Sequence, residues 1–286
     1  MKKILTLLSA CLLVCACNNN DEPAGPAEPL MNKQDSLAIV AFYHSMKCAE
    51  WKGGFHWDLK DTDTWGGLTV EYDAEKNEYR VVKIEVPVAE EYLPEGYSLP
   101  AELGDLTALR ELYVWGDHRM AGGIPPEIFN CPLEVLWLVG RYGKSDPYPK
   151  GFNGTIPKEI GKVGKTLKWL CISNTNIGGD IPEEITALQN LEGYADLSSN
   201  EFTGKVPLCL RELPHGAYLG FNNYTEMDWR YFTEDIGVIP EMWMNCLSGT
   251  IPDEVLNTQR WEDYNLKIYN QRDGYGYDRK YFEDLD

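Results

Sequence analysis

The sequence predicts a solenoid of α/β type: stacked coils, each with one short parallel β-strand on a concave side and an irregular or 3-10 helical return on the convex side. Three observations predict it. An aliphatic residue followed by proline recurs at Leu99-Pro100, Ile124-Pro125, Ile156-Pro157, Ile181-Pro182, Val206-Pro207 and Ile251-Pro252, with spacings of 25, 32, 25, 25 and 45 residues. A fixed period in this range marks a stacked array rather than a globule. The same frame of leucines, asparagine and glycine surrounds several of these pairs, and a helix-plus-hairpin segment precedes the first, as a solenoid end requires.

Taken in chain order, Lys2 and Lys3 open the sequence and Ile4 through Val14 form an apolar stretch too short to span a bilayer, the pattern of an export signal. The stretch ends at Val14-Cys15-Ala16-Cys17, which resembles the lipobox of bacterial lipoproteins. That resemblance implies acylation and cleavage at Cys17. Leu8-Ser9-Ala10-Cys11 also fits, but cutting there would leave the apolar Leu12-Leu13-Val14 at the new terminus, whereas Cys17 is followed by polar Asn18-Asn19-Asn20-Asp21-Glu22. The alternative is an ordinary secretory leader with incidental cysteines. A lipoprotein is expected in the outer membrane, and the polar, acidic tract resembles the signal for display on the outer cell surface.

Residues 1–17 therefore read as the signal ending at the lipidated cysteine, and 18–34, rich in Asn, Pro, Ala and Glu, as a flexible tether. Residues 35–80 read as an N-terminal cap. It opens with an amphipathic helix through Leu37, Val40, Ala41 and His44, with Asp35 as its N-cap. A hairpin follows, with strands Leu68 to Tyr72 and Tyr79 to Val86 and turn residues Asp73 to Asn77.

Residues 81–256 hold the repeats, with insertions expected near 141–150 and 224–244, where Ile239-Pro240 reads as an off-register copy. The frame is complete in Leu167-Lys168-Trp169-Leu170-Cys171-Ile172 followed by Ile177-Gly178-Gly179-Asp180-Ile181-Pro182-Glu183-Glu184-Ile185 and Leu188. It recurs from Leu191 to Leu213, and its second half at Asn245 to Pro252. These residues resemble the plant-type leucine-rich repeat, L-x-x-L-x-L-x-x-N-x-L-x-G-x-I-P. The resemblance implies strands pairing at about 4.8 Å between coils, a glycine that lets the chain turn, a proline that fixes φ on the outer side, and a ladder of buried asparagines. By register the ladder positions are Asp117, Arg141, Thr175, Asn200, Asn222 and Asn245, so the family residue stands only in the later coils. One extra residue between Tyr194 and Leu197 predicts a bulge.

The segment before the repeats resembles the family's N-terminal cap: Asp35 to Tyr43 for the helix, Trp65-Gly66-Gly67-Leu68 for the hairpin start and Arg80-Val81 for the lead-in. Asp63 and Val70 stand where that cap usually places its disulfide, so packing of Trp51, Trp57 and Trp65 is expected instead. Residues 257–286, rich in Tyr and Trp, are expected to close the far end as a cap or tail.

Chemistry has few candidates. His44, His56, His118 and His215 are scattered without metal-ligand spacing. Asp61-Thr62-Asp63-Thr64-Trp65-Gly66 begins like a calcium loop, but Tyr72 stands where the closing glutamate belongs. No nucleophile elbow, phosphate loop or dinucleotide fingerprint is present. Beyond Cys17, the cysteines Cys48, Cys131, Cys171, Cys209 and Cys246 are odd in number and define no framework. No catalytic, metal or cofactor residue is therefore assigned, and no enzyme activity is expected. The formal charge is −19, or −21 without Lys2 and Lys3, which disfavours nucleic acid and suits a cationic or neutral partner.

The concave face carries the functional expectation. Between the core leucines project Glu111, Tyr113 and Trp115, then Val135, Trp137 and Val139, then Trp169, Cys171 and Ser173, and later Tyr218. Tyr113, Trp137 and Trp169 are expected to lie near one another. Large exposed rings offer contact area at small entropic cost. Glu111, Tyr113, Trp115, Trp137, Trp169 and Tyr218 are thus the ligand-binding candidates, for a protein or peptide partner or alternatively a glycan stacked on the rings. The competing expectations are that inserted loops cover these rings as a second core, or that the chain is a structural envelope component.

Overall fold

The computed structural model describes residues 29–51, 57–61, 64–86, 96–115, 120–140 and 151–282. The Cys17 anchor, most of the tether, the insertion near 141–150, His56, His118, and ladder positions Asp117 and Arg141 lie outside the described residues.

The cap begins with β1 (Leu30–Met31) and α1 (Lys33–Ser45). Asn32, not Asp35, is the N-cap, its side chain accepting from the amides of Gln34 and Asp35. Asp35 is instead fully buried, with its carboxylate on Arg80 Nε and Nη2 at 3.1 Å each and on the Val81 amide at 2.8 Å. A capping side chain must sit outside the first turn, and the need to neutralise buried Arg80 draws Asp35 inward. The hairpin is β2 (Leu68–Asp73) against β3 (Glu78–Val86), antiparallel. Trp57 stacks on Trp65 at 5.4 Å between ring centroids and meets Trp51 at 5.7 Å. All three are buried, and each indole N–H reaches a backbone carbonyl, so packing joins helix to hairpin.

From β3 the coils stack in parallel through β4 (Glu111–Trp115), β5 (Val135–Val139), then β6 (Asn153–Gly154) and β7 (Trp169–Ser173), then β8 (Asn176–Ile177), β9 (Ala195–Asp196), β10 (Thr203–Lys205) and β11 (Ala217–Tyr218). The main sheet has the order β1-β3-β4-β5-β7-β9-β11, with β2 on β3, and a further bridge from Tyr218 to Glu241 extends it. Shorter pairings, β6 with β8 and β10 with β12 (Asn223–Glu226), run beside it where each coil leaves the concave face. One contiguous core fills the interior, from Ile39 of the helix to Trp261 near the far end.

Each proline of the repeated pair sits at the entry to a 3-10 or short helical turn, where no intrahelical amide is needed, and the aliphatic residue before it is buried. Two residues before that aliphatic, Gly122, Gly154, Gly179, Gly204 and Gly249 all have positive φ. This column is the bend that the repeat glycine is expected to permit. A second left-handed column consists of Asn174, Ser199, Phe221 and Met244, each immediately before a ladder residue.

The ladder itself is buried and continuous in the later coils. Asn200 donates to the carbonyls of Ile172 and Leu197 and accepts from Thr175, and Asn222 and Asn245 repeat the arrangement. Gln271 adds one more rung, donating to Met242 and Ile268 carbonyls and accepting from the Leu247 amide. Residues 265–276 therefore form a further coil on the stack, with backbone bonds from Met242 to Lys267, Met244 to Asn270 and Gly276 to Leu247.

The stretch 224–244 is a coil rather than an insertion. It leaves the ladder through β12, turns at α2 (Arg230–Thr233) and returns along the concave side through Glu241 and Trp243. Ile239-Pro240 lies on that concave return, not at a convex turn; the Glu226 carbonyl accepts from the Val206 amide, which places Met227-Asp228 beside Val206-Pro207. The extra residue of the fourth coil does form a bulge. The Glu192 amide bonds the Lys168 carbonyl, 24 residues back, whereas Asp196 pairs with Cys171, 25 back, so the added residue is taken up between them.

Candidate functional site

The concave face is built from strand positions two, four and six residues before each ladder residue. Register puts Glu85, Tyr113, Trp137, Cys171, Asp196, Tyr218 and Glu241 in one row across the sheet. Carboxylates and rings thus share a single line.

At its early end Tyr113 stacks on Trp115 at 5.9 Å, and Lys83 lies 4.7 Å over the Tyr113 ring. Lys83 is also bonded to Glu85 at 3.0 Å and lies 3.7 Å from Glu111, so the charges at this end are paired. The Lys83 ammonium is pushed up by its hydrogen bond to Glu85, against a smaller opposing effect of burial. Trp137 is partly exposed beside Tyr113 in register.

Trp169 does not join them. It pairs with Val135, two positions from Trp137, and a Cβ on Gly193 would stand 2.8 Å from its ring. The indole therefore lies over the bulged coil ahead of it, and the expected grouping of Tyr113, Trp137 and Trp169 is divided. Cys171, Ser173 and Val139 hold the outward register positions expected of them, outside the main core, but are buried there and not exposed. Cys171 Sγ is 3.3 Å from Ser173 Oγ and 3.6 Å from Asp196. Burial, reinforced by Asp196, pushes the Cys171 thiol up to about 12, so it is a neutral packing group and not a thiolate.

The exposed rings form the later half of the face. Trp169 is 44% exposed, Tyr194 41%, Tyr218 37%, and Phe221 and Trp243 38% each. Tyr194 and Tyr218 lie 4.5 Å apart at 32°, and Phe221 meets Trp243 edge-on at 4.9 Å. Trp243 rests on Gly220 as Trp169 rests on Gly193, since a Cβ on Gly220 would come within 3.2 Å of the Trp243 ring. Phe221 holds φ at 58°, a conformation that costs a bulky L-residue about 1–2 kcal/mol.

Of the six candidates, the structure thus pairs Tyr113 with Trp115, sets Trp137 beside Tyr113 and Glu111 near Lys83, and places Trp169 and Tyr218 in a separate, more exposed group. Tyr194, Phe221 and Trp243 complete that group and lie outside the six. Tyr194 stands six residues before Asn200, the outward position that Trp169 holds in its own coil, and Trp243 sits inside the stretch that the proline spacing reads as an insertion; the 23-residue spacing from Asn222 to Asn245 is the signal that would have placed it at the strand position Trp115 holds in its own coil.

Around Tyr218, Asp196 and Glu241 stand on either side in register. Burial, then Tyr194 and the two carboxylates, push the Tyr218 hydroxyl up. It remains protonated at neutral pH.

A second concavity, a cleft of about 880 Å³ on the convex side, is lined by Asp180, Glu183, Lys205, Cys209, Arg211 and Arg230 among others. Its cations are occupied: Lys205 and Arg230 hold buried Asp228 at 3.0 and 2.7 Å, and Arg211 holds Glu234. Among the described residues no group of His, Cys, Asp and Glu is arranged to hold a metal, and no helix is long and apolar enough to cross a membrane.

A family model described as Leucine Rich Repeat matches residues 166–188. No curated protein matches the chain. Among solved structures, a plant ice-binding protein is 21% identical with a TM-score of 0.53, the match covering 77% of this chain and 66% of that one. The leucine-rich-repeat ectodomain of the receptor kinase SOBIR1 from Arabidopsis thaliana is also 21% identical, with a TM-score of 0.50 over 69% of this chain and 97% of that one. Both are likenesses of fold.

Proposed function

Taking as premise that this chain is a leucine-rich-repeat solenoid, we propose that it is a binding protein that holds a protein or peptide segment along its concave face and carries out no catalytic step. The observation that carries this is the group of exposed rings at Trp169, Tyr194, Tyr218, Phe221 and Trp243. Five exposed rings on neighbouring coils, four of them in two contacting pairs, make an apolar surface of the kind that marks an interaction site. Rings add area at small entropic cost, and the parallel strands beneath supply a rigid floor.

Panning a random peptide library on the protein tests this. Selected peptides should lose about tenfold or more in affinity against Trp169→Ala and against Tyr218→Ala, the scale of a hot-spot ring. Peptides that bind both variants undiminished would contradict the proposal.

A glycan is the second reading, favoured by one observation: the glycine seats under Trp169 and Trp243 leave their outer ring faces free to stack on a sugar. Tryptophan fluorescence titrated with a glycan panel separates the two. A saturable sugar response lost in Trp169→Ala would favour the glycan.

We further propose that the solenoid is tethered to the outer membrane through acylated Cys17 and displayed on the cell surface. The sequence pattern at Val14 to Glu22 supports this. Labelling with radioactive palmitate should mark the wild type and not Cys17→Ala, and protease added to intact cells should remove the domain. A protein untouched by such protease would lie on the inner side.

A further inference from the structure

We infer that the segment bound on the concave face presents a cationic side chain, an arginine or lysine, to the Tyr194–Tyr218 pair, with its charge directed at Asp196. The inference rests on the concave face being the binding face and names the chemistry of its occupant. Three observations converge on this spot.

The first is the balance of charge along the row. Glu85 is bonded to Lys83 at 3.0 Å and Glu241 to Lys267 at 3.0 Å. Asp196 has no cation partner among the described residues. One of its oxygens accepts from the Ser198 amide at 3.0 Å and hydroxyl at 2.6 Å, which orients the carboxylate without neutralising it, and the other stands 3.6 Å from the neutral Cys171 thiol.

The second is the pair of rings. Tyr218 is in register with Asp196 and lies 4.5 Å from Tyr194, both rings well exposed. A cation over a tyrosine face is attracted by the ring quadrupole, and a carboxylate at the edge of the same platform strengthens the attraction.

The third is the long-range field. A chain with formal charge −19 draws cations and repels anionic segments, so the encounter and the seat select the same sign. A neutral ligand could donate a hydrogen bond to Asp196 but would gain no charge attraction, and an acidic one would be opposed by it.

Guanidinium and ammonium groups both fit; arginine adds a flat face that stacks on tyrosine and a fork that meets a carboxylate with two bonds.

The test uses the full chain and two probes of nearly equal shape, one cationic and one neutral, acetyl-Gly-Arg-Gly-amide and the same peptide with citrulline, followed by the tyrosine and tryptophan fluorescence of the protein. The arginine peptide should bind saturably and about tenfold more tightly than the citrulline one, with the preference shrinking as salt is raised. Asp196→Asn, which keeps the oxygen that Ser198 binds, should remove the preference; Glu212→Gln, an equal change of charge on the convex side, should keep it. Near-ultraviolet circular dichroism checks that both variants fold, and Tyr218→Leu, which keeps an apolar side chain, supplies a second loss of the preference. Equal binding of the two probes, no saturable binding of either, or a preference that survives Asp196→Asn would overturn the inference. If peptides from the library still depend on Trp169 and Tyr218 in that case, the concave-face reading stands and only the cationic seat falls.

Discussion

At the scale of single residues, glycine does two different jobs in this chain. Gly193 and Gly220 give rings a flat place to rest, and a methyl group on Gly193 would stand 2.8 Å from the Trp169 ring, closer than side-chain carbons pack. Gly193→Ala should therefore tilt the indole outward, shifting its fluorescence to longer wavelength and weakening library-selected peptides several-fold while the fold persists. An unchanged spectrum would show that the seat is not occupied as described. Gly204 has the other job, holding φ at 76° with open space where a methyl group would stand. Gly204→Ala then isolates the backbone cost, about 1–2 kcal/mol, measurable as a lowered urea midpoint with unchanged slope. Both residues follow the repeat or its bulge, but only the second is foreseeable. The repeat glycine before Ile-Pro or Val-Pro announces a bend in the sequence, whereas the seat at Gly193 depends on a ring arriving from the preceding coil.

At the scale of elements, the cap shows how a local rule yields to a tertiary one. Asp35 has the right chemistry and nearly the right place for an N-cap, yet Asn32 takes that role and Asp35 neutralises Arg80 inside the protein. Arg80 also donates to Thr107 in the first coil at 2.7 Å, so the pair ties helix, hairpin and solenoid together. Asp35→Ala would leave a guanidinium buried without its carboxylate, a loss of about 3–5 kcal/mol; chemical unfolding should show it, and a loss below about 1 kcal/mol, the level of a surface pair, would mean the pair is incidental. The fifth coil illustrates a related departure. Where Val206-Pro207 has its counterpart one coil on, the chain has Met227-Asp228, and Asp228 gathers Lys205 and Arg230. Without its proline that coil is missed by the aliphatic-proline spacing, and the 45-residue gap from Val206 to Ile251 reads as one coil with an insertion, although Asn222 and Asn245 mark two.

The Asp228 group also gives the stability a pH dependence of known sign. Arg230 and Lys205 hold the Asp228 carboxyl well below the ordinary carboxylate value, so the folded state binds that proton less readily than the unfolded chain. The resulting stabilisation is full above the ordinary value near pH ~4 and is lost as pH falls through the depressed folded value. Urea midpoints measured between about pH 5 and pH 2 should fall more steeply for the wild type than for Asp228→Asn. Parallel curves would contradict this assignment.

At the scale of the whole molecule, the array is legible because its signals are periodic: the aliphatic-proline column, the positive-φ glycines and the asparagine ladder recur from one regular coil to the next. What is not legible is aperiodic. Gln271 continues the ladder with a longer amide after 26 residues, so the coil it anchors resembles a tail. On the concave face, Trp169 and Tyr218 can be placed from their strand positions, but the partner each ring meets depends on cross-coil register and the fourth-coil bulge. The consequence for function is a shift along the solenoid. The early rings at Tyr113 and Trp115 stack on each other beside Lys83 and are partly exposed, whereas the most exposed rings of the face lie over the later coils, where the proposal puts the partner. Hydroxyl-radical footprinting with a library-selected peptide bound reads that claim most directly. Oxidation of Trp169, Tyr194, Tyr218 and Trp243 should fall several-fold while Tyr264 and Tyr275 stay unchanged; concave rings oxidised as fast with the peptide as without it would contradict it.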